Sequence, residues 1–283
     1  MSAAALLLTL LAAVVHAGWN QLLAGSRDPQ ARIGIAMLVG AVATVPFAVV
    51  GLRWDSDVWP YVVLSVAFEL AYVLGLSAAY RHAPMSVVYP VARGTAPVLV
   101  LLVAAVALGE RVGAWAALGA LVVVAGILLV RGLPRGSTDP AARRGVALAL
   151  PVGACIAGYT LVDARGIEHA SVAAYLLVTL GLTAAAQVLL ASRQGGLRPL
   201  VADAFAPDEW WRTTLAGLGF FLAYGLVLLA LREAPAGLVA AVRETSVVIA
   251  VLALAATGQE PLRARTLAGA VLVTGGVALV VLA

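Results

Sequence analysis

Six ionisable residues lie inside stretches of the sequence that are otherwise apolar. A charged group in the middle of a bilayer costs at least about 2.5–3.5 kcal/mol, so such residues need a partner, a cavity or a function. Arginine binds carboxylates and phosphates through two parallel hydrogen bonds, a buried carboxyl can carry a proton, and histidine titrates near neutral pH. The six residues are His16, Glu69, Arg93, Asp163, Arg243 and Glu244.

Arg93 is the centre of the first predicted binding element. Its helix also contains prolines, and because proline removes a backbone donor and crowds the preceding turn, we expect an interrupted helix beside a cavity. Tyr89 lies one turn before Arg93 on the same helix face. The functional interpretation is a cavity wall that offers a guanidinium and a phenol to an anionic group. The alternative is a structural ion pair with a carboxylate. The flanking prolines are Pro84, Pro90 and Pro97.

Arg243 occupies the corresponding place in the second half of the chain. Glu244 follows it about 100° further round the helix and Ser246 lies one turn on. Glu244 could contact substrate, or it could neutralise Arg243 or a charge on another helix. Two arginines that met near the middle of the molecule would repel each other unless an acid or an anionic ligand lay between them. This repulsion is the main reason to expect a substrate with a carboxylate, phosphonate or phosphate group.

Glu69 is the first candidate for proton coupling. It lies in the middle of an apolar segment with Tyr72 one turn away, and burial of a carboxyl favours its protonated form. The alternative is that Glu69 is a static partner of Arg93. Tyr72 and Tyr224 are expected to line the cavity.

The first apolar segment carries His16, Trp19 and Asn20 on one helix face, at i, i+3 and i+4. His16 is the second candidate for proton coupling, although a hydrogen bond to a neighbouring helix is the more ordinary role for such a residue. Trp19 and Asn20 are candidates for substrate contact, and Trp19 is equally typical of an interface anchor. Tyr159 and Asp163 are the corresponding pair in the sixth segment. Asp163 is close to the predicted end of that segment, so we expect it to be solvated.

The chain lacks the motifs of several classes of enzyme. It contains no Lys, so the ATP-binding sequence GxxxxGK[ST] is absent, and neither HExxH nor GxSxG occurs. Its three His lie in separate segments and Cys155 is its single Cys, so we expect neither a haem or zinc site nor a disulfide. We therefore expect no enzymatic activity, no cofactor and no metal.

The composition is that of a membrane protein. The 283 residues are 63% hydrophobic and 11% charged, against about 45–50% and about 25% in soluble domains. Such a sequence excludes a soluble enzyme, a nucleic-acid-binding module and a disordered chain. A membrane helix needs about 20 apolar residues, and ten runs qualify. They cover about 3–24, 31–51, 59–80, 84–108, 113–131, 145–164, 170–191, 212–231, 235–257 and 264–282.

The connectors alternate in charge. The odd-numbered connectors carry twelve Arg and the even-numbered ones four, and the richer side is expected to be cytoplasmic, with both termini outside. The longest connector, about 192–211, holds Phe205, Trp210 and Trp211, which are typical of a membrane interface.

The two halves of the chain resemble each other. A constant offset of 150 residues places Arg93 on Arg243, Glu110 on Glu260 and Gly119 on Gly269. Five helices per copy is an odd number, so the second copy must enter the membrane inverted. Inverted repeats around a central site are typical of secondary transporters. The predicted fold is all-α, with ten transmembrane helices in two inverted five-helix repeats, 1–132 and 145–283.

Several motifs carry a resemblance to a known family. They are Tyr89-Pro90 with Arg93-Gly94-Thr95, Leu108-Gly109-Glu110-Arg111, Arg243-Glu244-Thr245-Ser246 and His16-Ala17-Gly18-Trp19-Asn20. The chain resembles the EamA-like branch of the drug/metabolite transporter superfamily over its whole length. Where the family usually has Leu-Gly-Glu-Arg, the second copy has Gly258-Gln259-Glu260-Pro261, a departure in a connector that we expect to affect packing. Glu110 and Glu260 are interpreted as structural.

The resemblance implies ten helices, export or exchange of small metabolites and no ATP-binding domain. We expect a multi-pass protein of the bacterial plasma membrane that moves anionic or zwitterionic solutes by alternating access, through a cavity between predicted helices 1, 3, 4, 6, 8 and 9. The alternatives are a metabolite/metabolite antiporter without proton coupling and, more remotely, a membrane-embedded scaffold or enzyme. Nucleic acid is not an expected partner.

Glycines recur on the fifth and tenth predicted helices, and small residues let membrane helices approach closely. These helices would pack within one chain or form a homodimer, and packing within the chain is favoured. The residues are Gly119, Gly126, Gly269, Gly275 and Gly276.

Overall fold

The computed structural model describes residues 1–24, 29–82, 85–107, 109, 113–131, 140–256 and 264–282. Within these residues the chain is built from α-helices and contains no strand. The helices are α1 (Ala3–Ala24), α2 (Pro29–Val50), α3 (Trp59–Tyr80), α4 (Met85–Ala107), α5 (Ala114–Arg131), α6 (Pro140–His169), α7 (Val172–Gly195), α8 (Leu197–Ala204), α9 (Trp210–Leu231), α10 (Ala236–Arg243), α11 (Thr245–Ala256) and α12 (Ala264–Leu282).

Apolar length decides where most of these helices begin and end. Among the described residues, seven segments are long and apolar enough to cross a membrane. Three further apolar helices are shorter, Val91–Val106, Ala114–Leu129 and Ala264–Val280, so the count of ten spans stays a prediction. The seven segments are Ala3–Leu23, Arg32–Val50, Ser56–Tyr80, Arg143–His169, Val172–Arg193, Trp210–Leu231 and Ala236–Ala253.

Three boundaries differ from the sequence prediction. α6 is longer than its predicted span and runs from Pro140 to His169, the ninth predicted span is divided into α10 and α11, and the connector after α7 contains the short helix α8. Apolar periodicity locates a buried segment, but polar residues at its ends can continue the helix, as they do in α6. Phe205, Trp210 and Trp211 are all partly exposed around α8, where the interface residues were expected.

The helix surfaces are those of a protein surrounded by lipid. Large apolar side chains such as Val42, Phe47 and Val106 are more than 70% exposed, while alanines dominate the buried positions. Hydroxyl groups in the helices are satisfied locally: Thr9 donates to the carbonyl of Ala5, and Thr160 donates to that of Ile156. Since no water is available in a bilayer core, this local bonding allows polar side chains inside an apolar helix.

Equivalent helices of the two halves run in opposite directions. The backbone of Gly119 in α5 lies against the carbonyl of Gly276 in α12, while Gly126 lies against that of Gly269. As α5 runs from 119 to 126, α12 therefore runs from 276 to 269, which is antiparallel. Elements of the two halves also interleave, because α1 packs against α9 and α3 packs against α6.

The glycine-rich helices α5 and α12 therefore pack against each other within the chain, which was the favoured alternative. A Cβ atom on Gly119 would lie 2.6 Å from the Gly276 oxygen, so the two helices need glycine to approach this closely. A Cβ atom added to Gly275 would meet no other atom within 4 Å. A homodimer through these helices stays a prediction.

The end of α6 is held by two arginines from different halves. Arg53 donates to the carbonyls of Glu168 and Ala170 at 2.9 and 3.3 Å, and Arg232 donates to those of Ile167 and Ala170 at 2.9 and 3.0 Å. Cations suit the negative end of a helix dipole. Partial burial and the neighbouring charge of Arg53 lower the pKa of Arg232. This contact fixes the helix that carries Tyr159 and Asp163.

Candidate functional site

A central cavity of about 130 Å³ lies between the two halves of the molecule. Nine of the predicted residues line it: His16, Trp19, Asn20, Glu69, Tyr72, Arg93, Tyr159, Tyr224 and Arg243. They come from the helices predicted to form the cavity. Helices α2 and α7 also contribute, through Ile33 and Met37 and through Leu180, Thr183 and Gln187.

Arg93 and Arg243 share one acid, Glu244. The Nε atom of Arg93 lies 2.9 Å from Glu244 Oε2, and the Nε atom of Arg243 lies 4.0 Å from Oε1. Neither contact is an aligned hydrogen bond, so both are ion pairs by distance. Arg93 also approaches the hydroxyl of Ser246 at 3.5 Å. The two arginines of opposite halves thus meet around a single carboxylate.

This arrangement corrects two expectations. The acid that Arg93 contacts is Glu244 rather than Glu69, because Glu244 lies where α10 ends and α11 begins. An anionic ligand is also not needed to keep the two arginines together, since a residue of the chain already lies between them. Glu244 is fully buried and does not line the cavity, so its predicted substrate contact gives way to a contact with the two arginines.

Glu69 has a neutral partner. Thr183 on α7 donates to Glu69 Oε2 at 2.6 Å, and both residues line the cavity. Within the described residues, Glu69 forms no ion pair. The static partnership with Arg93 is therefore wrong, and Glu69 presents a carboxyl that is satisfied by a hydroxyl.

The sequence analysis missed the polar stripe of α7. Thr179, Thr183 and Gln187 recur every four residues, so they share a helix face, and all three are buried. This spacing of polar residues in an apolar helix is a signal that would have identified the face. These three residues are uncharged, so they do not belong to the set of ionisable groups from which the site was predicted.

Asp163 is not solvated, contrary to expectation. Its side chain is fully buried, Tyr175 donates to Oδ1 at 2.7 Å, and Tyr224 donates to Oδ2. Because α6 continues to His169, Asp163 lies inside the helix rather than at its end. Tyr224 lines the cavity, so Asp163 holds a wall residue in place without lining the cavity itself.

Three tyrosines form an aromatic wall. Tyr159 stands edge-on to Tyr72 at a centroid distance of 6.4 Å and to Tyr224 at 6.1 Å. These distances and angles are favourable for aromatic pairs. The wall joins α3, α6 and α9 along the cavity, and the hydroxyl of Tyr224 donates to Asp163.

The three predicted residues of α1 make ring contacts or a hydrogen bond within their own helix. His16 stands edge-on to Trp19 at 4.9 Å, and Trp19 packs against Phe220 at 5.0 Å. Asn20 donates to the carbonyl of His16 at 2.8 Å, so part of its amide is used within its own helix. Trp19 is 7% exposed, which places it inside the protein and rules out the alternative of an interface anchor.

Some predicted residues lie outside the described part of the chain. These are Glu110, Glu260, Pro84 and the side chain of Tyr89. Among the described residues, no group of three His, Cys, Asp or Glu comes together as a metal site.

Comparison with known families decides the class of this protein. The sequence pattern of the EamA-like transporter family matches residues 3–132 and again residues 143–282. The chain belongs to the EamA-like transporter family. Together with the seven segments that are long and apolar enough to cross a membrane, this membership makes the EamA protein a multi-pass membrane protein of the drug/metabolite transporter type.

A solved structure supports the fold. One titled "Crystal structure of protein" is 19% identical, covers 100% of this EamA protein and 99% of its own chain, and has a TM-score of 0.82. At that identity the likeness concerns the fold alone. No curated protein matches the chain in sequence.

The family repeat also explains the positions of the wall tyrosines. Phe68–Tyr72 reads FELAY and Phe220–Tyr224 reads FFLAY. The repeat therefore supplies Tyr72 and Tyr224 from equivalent helices, and it places Glu69 where the second copy has Phe221. The carboxyl at position 69 is a feature of one half only.

Proposed function

We propose that this EamA protein is a secondary transporter that exports small anionic or zwitterionic metabolites from a bacterial cell through its plasma membrane. The central cavity is the substrate site. The single observation that carries the proposal is the position of Arg93 and Arg243, which line the cavity from opposite halves and share one buried carboxylate. Two guanidiniums against one carboxylate leave an excess positive charge, which favours an anionic group.

The proposed mechanism is alternating access between two inverted five-helix repeats. The antiparallel α5–α12 pair and the interleaved α1–α9 and α3–α6 contacts give the halves equivalent surfaces. Equivalent surfaces allow two packings of similar energy, one open to each side of the membrane. The excess of arginine in the odd-numbered connectors favours a cytoplasmic location for them, and export is the direction that the resemblance to the family implies.

Arg93→Ala tests the substrate class. Thermal-shift screening of the purified protein with amino acids, nucleosides, sugar phosphates and phosphonates first selects the solute that stabilises it. In proteoliposomes, we expect Arg93→Ala to abolish transport of that solute, while Glu244 keeps its contact with Arg243 and the protein still folds. Arg165→Ala is the matched control, because Arg165 pairs with Glu168 on an exposed surface away from the cavity. Unchanged transport by Arg93→Ala would remove the anion-binding role.

We further propose that Glu69 carries a coupling proton. A carboxyl that is bonded by the neutral hydroxyl of Thr183 can gain or lose a proton without leaving a cation unpaired. His16 is the second titratable group on the cavity wall. Transport driven by a pH gradient should therefore be lost in Glu69→Gln and kept in Glu233→Gln, whose residue is exposed. Counterflow at fixed pH that survives Glu69→Gln, together with the absence of pH-driven transport by the unmodified protein, would favour exchange without protons.

A further inference from the structure

On the uncharged side chains of the cavity wall, two buried polar atoms have no hydrogen-bond partner among the described residues. They are Nε1 of Trp19 and Oε1 of Gln187, on α1 and α7. Both residues line the cavity, and their relative exposures are 7% and 9%. A buried polar group without a partner is destabilising, so such groups beside a cavity are candidates for contact with a ligand.

The two residues line the same cavity, and α2 packs close to both of them. Ile33 on α2 packs into the cluster that contains Trp19, and the next residue, Gly34, faces Gln187, whose Cβ lies 3.5 Å from the position of an added Cβ. Phe220 packs on the other side of Trp19 at 5.0 Å, and Met37 lies one turn further along α2 on the cavity wall. The cavity wall near these two residues is therefore formed largely by Ile33, Met37 and Phe220, and the imidazole of His16 stands edge-on to Trp19 at 4.9 Å.

We propose that Trp19 and Gln187 form a subsite for a neutral hydroxyl or carboxamide group on the transported solute. The indole N–H only donates, so the ligand group must accept a hydrogen bond, which an ammonium group does not do. Gln187 Oε1 only accepts, so the same group must also donate. A hydroxyl or a carboxamide does both, and if the Gln187 amide is turned so that its NH2 group takes the place of Oε1, either group can still accept from both donors.

The subsite rests on the proposed function and adds to it a binding site for the second, uncharged end of the substrate. The arginine pair on α4 and α10 would bind the anionic end, and Thr183, one turn before Gln187 on α7, is already bonded to Glu69. Asn20, the amide predicted from sequence, donates to its own helix. Gln187 is therefore the better candidate for binding an uncharged polar group of the solute.

Two pairs of solutes of equal shape test the subsite. L-threonine and L-valine differ by a hydroxyl in place of a methyl group and are zwitterions, and 3-hydroxybutyrate and 3-methylbutyrate differ in the same way and are anions. Binding of each is measured by calorimetry on the purified full-length protein. We expect the hydroxyl member of at least one pair to bind about tenfold or more tightly than its methyl partner, because the partner leaves both polar atoms unsatisfied.

Two variants separate recognition from folding. Gln187→Met keeps the length of the side chain, and Trp19→Phe keeps a ring while removing the N–H. In each variant the ratio between hydroxyl and methyl member should fall towards one, through weaker binding of the hydroxyl member. Arg93→Gln should instead weaken both members of a pair by the same factor, because it acts on the charged end that they share.

The outcomes distinguish the subsite from the function on which it rests. Equal binding of both members by the unmodified protein, or an unchanged ratio in both variants, overturns the subsite and leaves the charged-solute transporter standing. No binding by any of the four solutes overturns the subsite, whereas the proposed solute class is overturned only if no anionic or zwitterionic solute of the thermal-shift screen binds either.

Discussion

The arginine helices of the two halves differ although their sequences are equivalent. α4 carries Arg93 and is continuous from Met85 to Ala107, in spite of Pro90 and Pro97. Its counterpart contains no proline within α10 or α11, yet it is interrupted at Glu244, directly after Arg243. At the interruption, the amide of Glu244 donates to the carbonyl of Ala241, three residues back, and the amide of Val247 donates to that of Glu244.

The residue after each arginine explains the difference. It is Gly94 in the first half and Glu244 in the second. A side chain at Gly94 would face Leu128 and Val124 of α5. By the symmetry of the repeats, an uninterrupted second helix would direct position 244 towards α12. The interruption instead accompanies a carboxylate placed between the two arginines, 2.9 Å from Arg93.

The two halves are related in sequence, but their distributions of buried charge differ. Both halves supply an arginine, but only one supplies the acid, so the pair meets around one carboxylate. The same one-sidedness holds for Glu69, whose counterpart is Phe221. Two related halves thus carry an asymmetric set of charges around the cavity.

The largest expected effect comes from removing the shared acid. Glu244→Gln leaves two buried guanidiniums facing each other without a carboxylate, and breaking a buried ion pair costs about 3–5 kcal/mol. Thermal unfolding in detergent should show this loss, whereas Glu233→Gln, at an exposed position, should stay within about 0.5 kcal/mol of the unmodified protein. A Glu244→Gln protein of full stability would contradict the three-charge arrangement.

The two halves should contribute unequally to that cluster. Double-mutant cycles with Glu244→Gln are expected to give a coupling energy of about 2 kcal/mol for Arg93→Gln and below about 1 kcal/mol for Arg243→Gln. The reason is the difference between contacts of 2.9 and 4.0 Å. Equal couplings from the two cycles would show that the halves share Glu244 evenly in the membrane.

The smallest effect concerns Gly94 itself. A Cβ there would lie 3.4 Å from Leu128 Cδ2, an ordinary contact, so Gly94→Ala should stabilise α4 by about 0.5–1 kcal/mol through helix propensity. In the second half, Gly237→Ala would bring a Cβ to 2.7 Å from Leu101 Cγ and should destabilise the protein. Opposite shifts of the melting temperature in the two variants check this pair. Shifts of the same sign would mean that the contact at Gly237 relaxes freely.

Much of the cavity could be predicted from sequence because charge is rare in this chain. With 11% charged residues, an arginine or carboxyl inside an apolar run is conspicuous, and nine predicted residues line one cavity. Thr183 and Gln187 escaped because neutral polar residues are common in membrane helices and form local bonds. Their orientation towards the cavity depends on how α7 packs.

The pairing of charges could not be predicted for a different reason. Helix periodicity states which residues share a face of one helix, but it does not state which face of another helix lies opposite. Glu69 and Glu244 were both available to Arg93, and packing of α3 against α6 and α7 assigned Glu69 to Thr183. Asp163 was misjudged because the end of α6 was placed five residues too early, at 164 instead of His169.

The sequence by itself determined that the chain is a membrane protein, that it contains two related halves and that a few ionisable groups lie inside its apolar segments. These properties follow from the energy of burying apolar and charged groups, which is a property of each segment alone. Only the tertiary structure decided that Glu244 joins the two arginines, that Asp163 holds Tyr224 and that Trp19 and Gln187, on the cavity wall, each have a buried polar atom without a partner among the described residues. Those outcomes depend on contacts between helices distant in sequence, where position and direction, rather than residue type, select the partner.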